Sequence, residues 1–105
     1  MLFGVFAHHS PESCPLNNES SKKIFMNIKK QMDLKIKNYN INKVIAFYMS
    51  VLEHQWVIIL DAVHAHDIEN LCIDVGISSI STVKIVPMTN YEDTLKRMED
   101  GLKSH

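Results

Sequence analysis

Glycine and cysteine are both scarce in this chain, which excludes several common kinds of site. Three glycines among 105 residues lie too far apart for the glycine-rich loops that cradle phosphates in Rossmann and P-loop proteins. The two cysteines, Cys14 and Cys72, do not form a Cys-x-x-Cys pair. Ribbon-type zinc sites and thioredoxin chemistry are therefore excluded, and two thiolates cannot hold an iron–sulfur cluster within one chain.

An excess of charge is also missing, since 11 basic and 12 acidic residues leave a formal net charge of −1. The lysines between residues 22 and 37 recur at helical spacing, which favours a solvated helix face. We therefore expect no nucleic-acid partner. The apolar run over residues 1–7 is too short for a signal peptide or a membrane span. We expect a cytoplasmic protein with no membrane partner, in which both cysteines are free thiols.

Hydrophobic periodicity predicts a single domain over residues 1–105 with the order β-α-β-β-α-β and an added C-terminal helix. Strands are predicted over residues 1–7, 43–51, 56–60 and 82–86, and helices over residues 24–36 and 68–75, with a capping box at residues 89–92 opening the last helix. The second and third strands are close enough to form a hairpin. This order is typical of the α+β ferredoxin-like fold.

The second predicted strand is apolar on both of its faces, which a sheet covered by helices on one side does not require. Its two faces carry Val44, Ala46 and Tyr48 against Ile45, Phe47 and Met49. The simplest cover for the second face is another copy of the same sheet. We therefore predict a homodimer, in the form of a dimeric α/β barrel.

Histidine and cysteine side chains collect at one end of the predicted sheet. In the ferredoxin-like order the first and third strands are antiparallel neighbours, so the end of the first, at His8 and His9, lies beside the start of the third, at His54. Cys14 follows on a connecting turn that can fold back over the same end, and we expect it on the surface. His9 shares its strand face with Val5 and Ala7, so we expect His9 to contribute, not His8.

The predicted site is a three-ligand metal centre made of His9, Cys14 and His54. Two nitrogens and one sulfur suit zinc, copper or nickel better than magnesium or calcium. His8, Glu12 and Glu53 stay open as further ligands or as side chains that orient the imidazoles. Cys72 lies instead on the apolar stripe of the second helix, and we predict that it belongs to the core.

Residues 9–15, which read His-Ser-Pro-Glu-Ser-Cys-Pro, resemble the motif of an uncharacterised family of small bacterial and archaeal proteins. Glu53-His54 ahead of an apolar strand and residues 82–87 extend the resemblance over nearly the whole chain. That family belongs to the ferredoxin-like, dimeric α/β-barrel superfamily. The resemblance implies the same fold and places His9, Cys14 and His54 at positions of the family motif. A histidine at position 8 is less typical of that motif.

More loosely, the layout is similar to a ferredoxin-like family of unknown function that includes a nickel-binding member. The wider superfamily also contains antibiotic-biosynthesis monooxygenases, haem-degrading enzymes and muconolactone isomerases, so the fold implies little about the chemistry.

Three functions are compatible with these residues. The first is a small metal-binding protein that acts as a sensor, carrier or buffer. The second is a small barrel enzyme in which Cys14 is a nucleophile or redox thiol and His9 or His54 is its base. The third is a non-catalytic oligomeric ligand-binding module. A haem held by His9 or His54 is a further alternative for the cofactor.

Overall fold

Four strands and four α-helices form over residues 1–103, the part of the chain that the computed structural model describes. The strands are β1 (Leu2–His8), β2 (Ile41–Ser50), β3 (Gln55–Ala62) and β4 (Thr82–Met88), and the helices are α1 (Glu19–Lys35), α2 (Ala65–Asp74), α3 (Ile77–Ile80) and α4 (Tyr91–Lys103). Short 3₁₀ turns cover Pro11–Ser13 and Ile36–Tyr39. The fold is therefore α+β, as the sequence predicts.

The four strands form one sheet in the order β2-β3-β1-β4, and all neighbouring pairs are antiparallel. The predicted β2–β3 hairpin is confirmed, with residues 51–54 as its turn. β1 and β3 are the two central strands, and His8 pairs with Gln55 at the end of their ladder. The ends of β1 and of the hairpin turn therefore meet at one end of the sheet.

One face of the sheet packs against α1, α2 and α3 to form the core. The buried apolar residues on this face alternate along the two central strands, as a strand with one covered face requires. They are Phe3, Val5 and Ala7 on β1 and Trp56, Ile58, Leu60 and Ala62 on β3, and they meet Ile28, Met32, Ile68, Leu71, Cys72 and Ile77 from the helices. On the opposite face, Tyr48 of β2 is 70% exposed.

Polar side chains and one glycine set the helix ends. The side-chain oxygen of Asn18 accepts a hydrogen bond of 3.0 Å from the backbone N–H of Ser21, which caps the start of α1. Gly76 has φ of 94°, in the left-handed region that favours glycine, and it separates α2 from α3. The stop at Gly76 agrees with the sequence prediction, whereas α3 has no strong sequence signal and is not predicted.

Most predicted boundaries differ from the observed ones, and the largest difference is the start of α1, which lies at Glu19 and not at residue 24. Two differences near the C-terminus have a clear physical reason. β4 continues through Pro87 to Met88, because β4 is an edge strand and a proline there removes no ladder hydrogen bond on its outer side. The cap of α4 is Asn90 and not Thr89, since the backbone N–H of Asp93 donates a 2.7 Å hydrogen bond to the Asn90 side chain. Over residues 1–103, no helix has the length and apolarity needed to cross a membrane.

Candidate metal centre

His9 lies one residue beyond β1, on the covered face of the sheet. It continues the buried series of Phe3, Val5 and Ala7, and only 4% of its surface is exposed. His8 has the opposite parity and is exposed. Strand alternation therefore places His9 on the covered face and His8 in solvent, as the sequence predicts. The metal-ligand role of His9 stays a prediction.

His54 is the last residue of the hairpin turn between β2 and β3. Its φ of 53° lies in the left-handed region, which is uncommon for a residue with a Cβ. Its backbone carbonyl oxygen accepts a hydrogen bond of 3.0 Å from the backbone N–H of His9. The turn is thus tied to the end of β1, and the two imidazoles lie in contact with ring centroids 5.4 Å apart.

Cys14 directly follows the 3₁₀ turn over Pro11–Ser13 and is held by backbone hydrogen bonds on both sides. Its N–H donates to the carbonyl of Pro11 at 3.3 Å, and its own carbonyl accepts from the N–H groups of Asn17 and Asn18, each at 2.9 Å. The Ser10 hydroxyl accepts a hydrogen bond of 3.2 Å from the N–H of Ser13, which caps the start of this turn. The prediction that Cys14 is a surface residue is wrong, since it is only 4% exposed.

These three residues come together in space. One donor atom from each of His9, Cys14 and His54 lies within 4.8 Å of the other two. Donors around one zinc ion lie roughly 3.5 Å apart, given bonds of about 2.0 Å to nitrogen and about 2.3 Å to sulfur. Side-chain movements of about an ångström would close the cluster around an ion of this size.

The surroundings of the cluster favour the neutral form of the His9 imidazole. The Nδ1 atoms of His9 and His54 are buried and have no hydrogen-bond partner among residues 1–103. Buried polar atoms normally have a hydrogen-bond partner, so these two nitrogens are available as ligand atoms for an ion. Burial, followed by the charges of His54 and His8, lowers the pKa of His9. The neutral form, which is the one that binds metals, is therefore favoured at His9.

The other candidates do not join this cluster. Glu12 and Glu53 are exposed, and neither belongs to the group of donors around His9. Cys72 is buried in the core, as predicted, and burial, with a smaller effect from Glu69, raises the pKa of its thiol to about 12. Cys72 is therefore a neutral apolar side chain at physiological pH.

A pocket of about 290 Å³ opens beside the cluster, and little in the sequence predicts it. Its inner wall includes His9 and Cys14 together with Pro15, Phe25 and Trp56. The indole of Trp56 lies against the imidazole of His9, with ring centroids 5.5 Å apart. The available signals in the sequence are two apolar residues. Leu16 precedes the first helix, and Met26 lies outside the apolar stripe of that helix.

No protein-family profile matches the chain, and no curated protein gives a significant sequence match. The resemblance to an uncharacterised family therefore stays a prediction.

Proposed function

We propose that this chain is a small metal-binding protein whose ion is held by His9, Cys14 and His54. The observation that carries the proposal is the convergence of three donor atoms within 4.8 Å, from two separate segments of the sequence. Two buried imidazole nitrogens without partners add to it, because a metal ion would satisfy atoms that are otherwise costly to bury.

The donor set selects the class of metal. Two imidazole nitrogens and one thiolate are borderline and soft ligands, which favour zinc, copper or nickel over oxygen-preferring magnesium or calcium. Three protein ligands leave a coordination position for water or for another small ligand. An exchangeable ion at such a site suits a sensor, carrier or buffer.

Elemental analysis of the purified, untagged protein tests this proposal. We expect close to one transition-metal ion per chain, or uptake of one equivalent when zinc, copper or nickel is added. His54→Gly should lose the ion, because it removes the imidazole while keeping a residue that adopts the backbone conformation of position 54. His8→Ala is the matched control and should keep the metal. A wild-type protein that takes up none of the three metals would overturn the proposal.

We also propose that the domain is ferredoxin-like and works as a homodimer built around the open sheet face. The strand order β2-β3-β1-β4 with antiparallel neighbours supports the first point. The exposed apolar side chains Tyr48 on the open face and Leu95 and Met98 on α4 support the second, because apolar surface of this kind favours association.

Solution mass separates the monomer from the dimer. Light scattering should give twice the chain mass for the wild type and a single chain mass for Tyr48→Glu. Leu34→Glu places the same charge on an exposed apolar position of α1 and should leave the dimer intact. A monomeric wild type would exclude the dimer while leaving the metal site unaffected.

One alternative has a specific observation behind it. Cys14 and His9 both line the apolar pocket, so the thiol could act as a nucleophile with an imidazole as its base. This enzyme hypothesis requires that Cys14 reacts with a small electrophile in the metal-free protein, and that His9→Gln slows the reaction. If zinc instead protects Cys14 from the same reagent, the metal-binding function is favoured.

A further inference from the structure

The pocket beside the candidate metal centre has both proposed metal ligands and apolar side chains in its wall. Two of the three proposed ligands, His9 and Cys14, form part of its wall. Both residues are almost completely buried, and at the pocket they border a space that an exchangeable ligand of the ion could occupy. A molecule in the pocket could therefore reach the ion directly.

Apart from those two residues, the wall is mainly apolar. Phe25 and Trp56 contribute aromatic rings to the wall, and Met26 of α1 and Val51 of the hairpin turn also line the pocket. Met26 is 74% exposed and Val51 is also exposed, although both are large apolar residues. Apolar side chains gathered around a concave opening are typical of a ligand site.

We propose that the pocket binds a compact apolar molecule that carries one nitrogen or thiolate donor, with the donor on the metal ion and the apolar body against Phe25 and Trp56. This inference rests on the proposed metal-binding function and specifies the class of ligand that fills its open position. A volume of about 290 Å³ is at the lower end of the range for small-molecule sites, which suits a ligand of one or two rings.

Among the side chains that the structure describes, Lys22 is the one cation in the pocket wall. Its amino group also lies 3.6 Å from the carboxylate of Glu19, in a pair that is largely exposed to solvent. A strongly anionic ligand would therefore meet little uncompensated positive charge. A neutral or singly charged apolar ligand matches the wall better.

Cobalt provides a direct readout, because the visible spectrum of Co²⁺ reports both thiolate ligation and the arrival of a new ligand. The protein is loaded with Co²⁺ and titrated with 4-phenylimidazole and, separately, with imidazole. Both compounds offer the same aromatic nitrogen donor, and they differ in the phenyl group. We expect 4-phenylimidazole to bind at least about tenfold more tightly, because its ring leaves water for the apolar wall.

Two variants on α1 test whether the pocket causes the preference for 4-phenylimidazole over imidazole. Met26→Glu introduces a charge at the pocket and should abolish the preference for the phenyl compound. Leu34→Glu makes the same change at a position that is 65% exposed and does not line the pocket, so it should retain the preference. Neither residue is a proposed metal ligand, so both variants should bind Co²⁺ normally.

The outcomes separate this inference from the function on which it rests. If the Co²⁺ spectrum forms but the two compounds bind equally, the ligand inference is wrong and the metal site stands. If the preference is missing and Met26→Glu lowers the solution mass, the pocket is covered by a second copy of the chain and the inference is wrong. If no Co²⁺ spectrum forms, the proposed function fails and the ligand inference falls with it.

Discussion

The backbone N–H of His9 donates a hydrogen bond of 3.0 Å to the backbone carbonyl oxygen of His54. This bond extends the β1–β3 ladder by one pair beyond His8 and Gln55. It holds the backbones of His9 and His54 side by side, so the two imidazoles start from adjacent positions on the sheet. The candidate site is therefore built into the end of the sheet and is largely preorganised.

The left-handed backbone of His54 leads to a prediction about stability. In the metal-free protein, His54→Gly should keep or raise the free energy of unfolding by up to about 1 kcal/mol, because glycine adopts a positive φ without steric cost. His54→Ala should be less stable than His54→Gly by about 1 kcal/mol. Urea denaturation of both variants measures the difference. Equal stabilities would show that position 54 carries no backbone strain.

The two cysteines should respond in opposite ways to substitution by serine. Cys14→Ser removes the proposed thiolate ligand, and we expect the affinity for zinc to fall by at least about a hundredfold, more than the loss of an outer-shell partner. Cys72→Ser places a hydroxyl in the core and should lower the free energy of unfolding by about 1–3 kcal/mol. The affinity of folded Cys72→Ser for zinc should be unchanged.

Competition titration with a chromophoric chelator measures the zinc affinity, and urea denaturation with a chelator present measures the stability. Because Cys14 is itself buried, its serine variant should also lose some stability. The site assignment would be wrong if the two variants had the same affinity for zinc.

Stability of the metal-free protein should decrease as the pH falls below about 6.5. The folded-state pKa of His9 is lowered from 6.5 by burial, so the unfolded chain takes up a proton at this position more readily than the folded chain does. Well above this pH the His9 imidazole is neutral in both the folded and the unfolded state, so His9 adds no pH dependence to the stability. Below it, His9 contributes a slope of at most about 1.4 kcal/mol per pH unit.

Urea denaturation between pH 5 and pH 8, followed by the fluorescence of the single tryptophan Trp56, gives this slope. His9→Gln should flatten the dependence, whereas His8→Gln should leave most of it, since His8 is exposed. An unchanged slope in His9→Gln would assign the pH dependence to other groups.

Gly76 and Gly101 should respond differently to substitution by alanine. Gly76→Ala should destabilise the protein by about 1–2 kcal/mol, because φ is 94° and the new Cβ would lie 3.1 Å from a side-chain carbon of Ile24. A Cβ at Gly101 meets no atom within 4 Å, and alanine favours the helix there, so Gly101→Ala should cost nothing. Thermal unfolding of the two variants tests this contrast.

Local patterns in the sequence predict most of the secondary structure. Period-two alternation indicates the strands and also assigns His9 to the covered face and His8 to solvent, because a strand leaves only two directions for a side chain. Helical spacing indicates α1, and Asn18 and Gly76 mark helix ends through their own backbone chemistry. The errors at Pro87 and Thr89 arise because edge position and cap choice depend on neighbouring strands and turns.

Amino-acid order and strand alternation thus specify which residue types can form a site and which strand face each one takes. The burial of Cys14, the left-handed backbone of His54 and the pocket beside them arise from the packing of distant segments. Burial and cavities depend on how far elements distant in the chain approach one another. Local propensity acts over a few residues and carries no information about those distances.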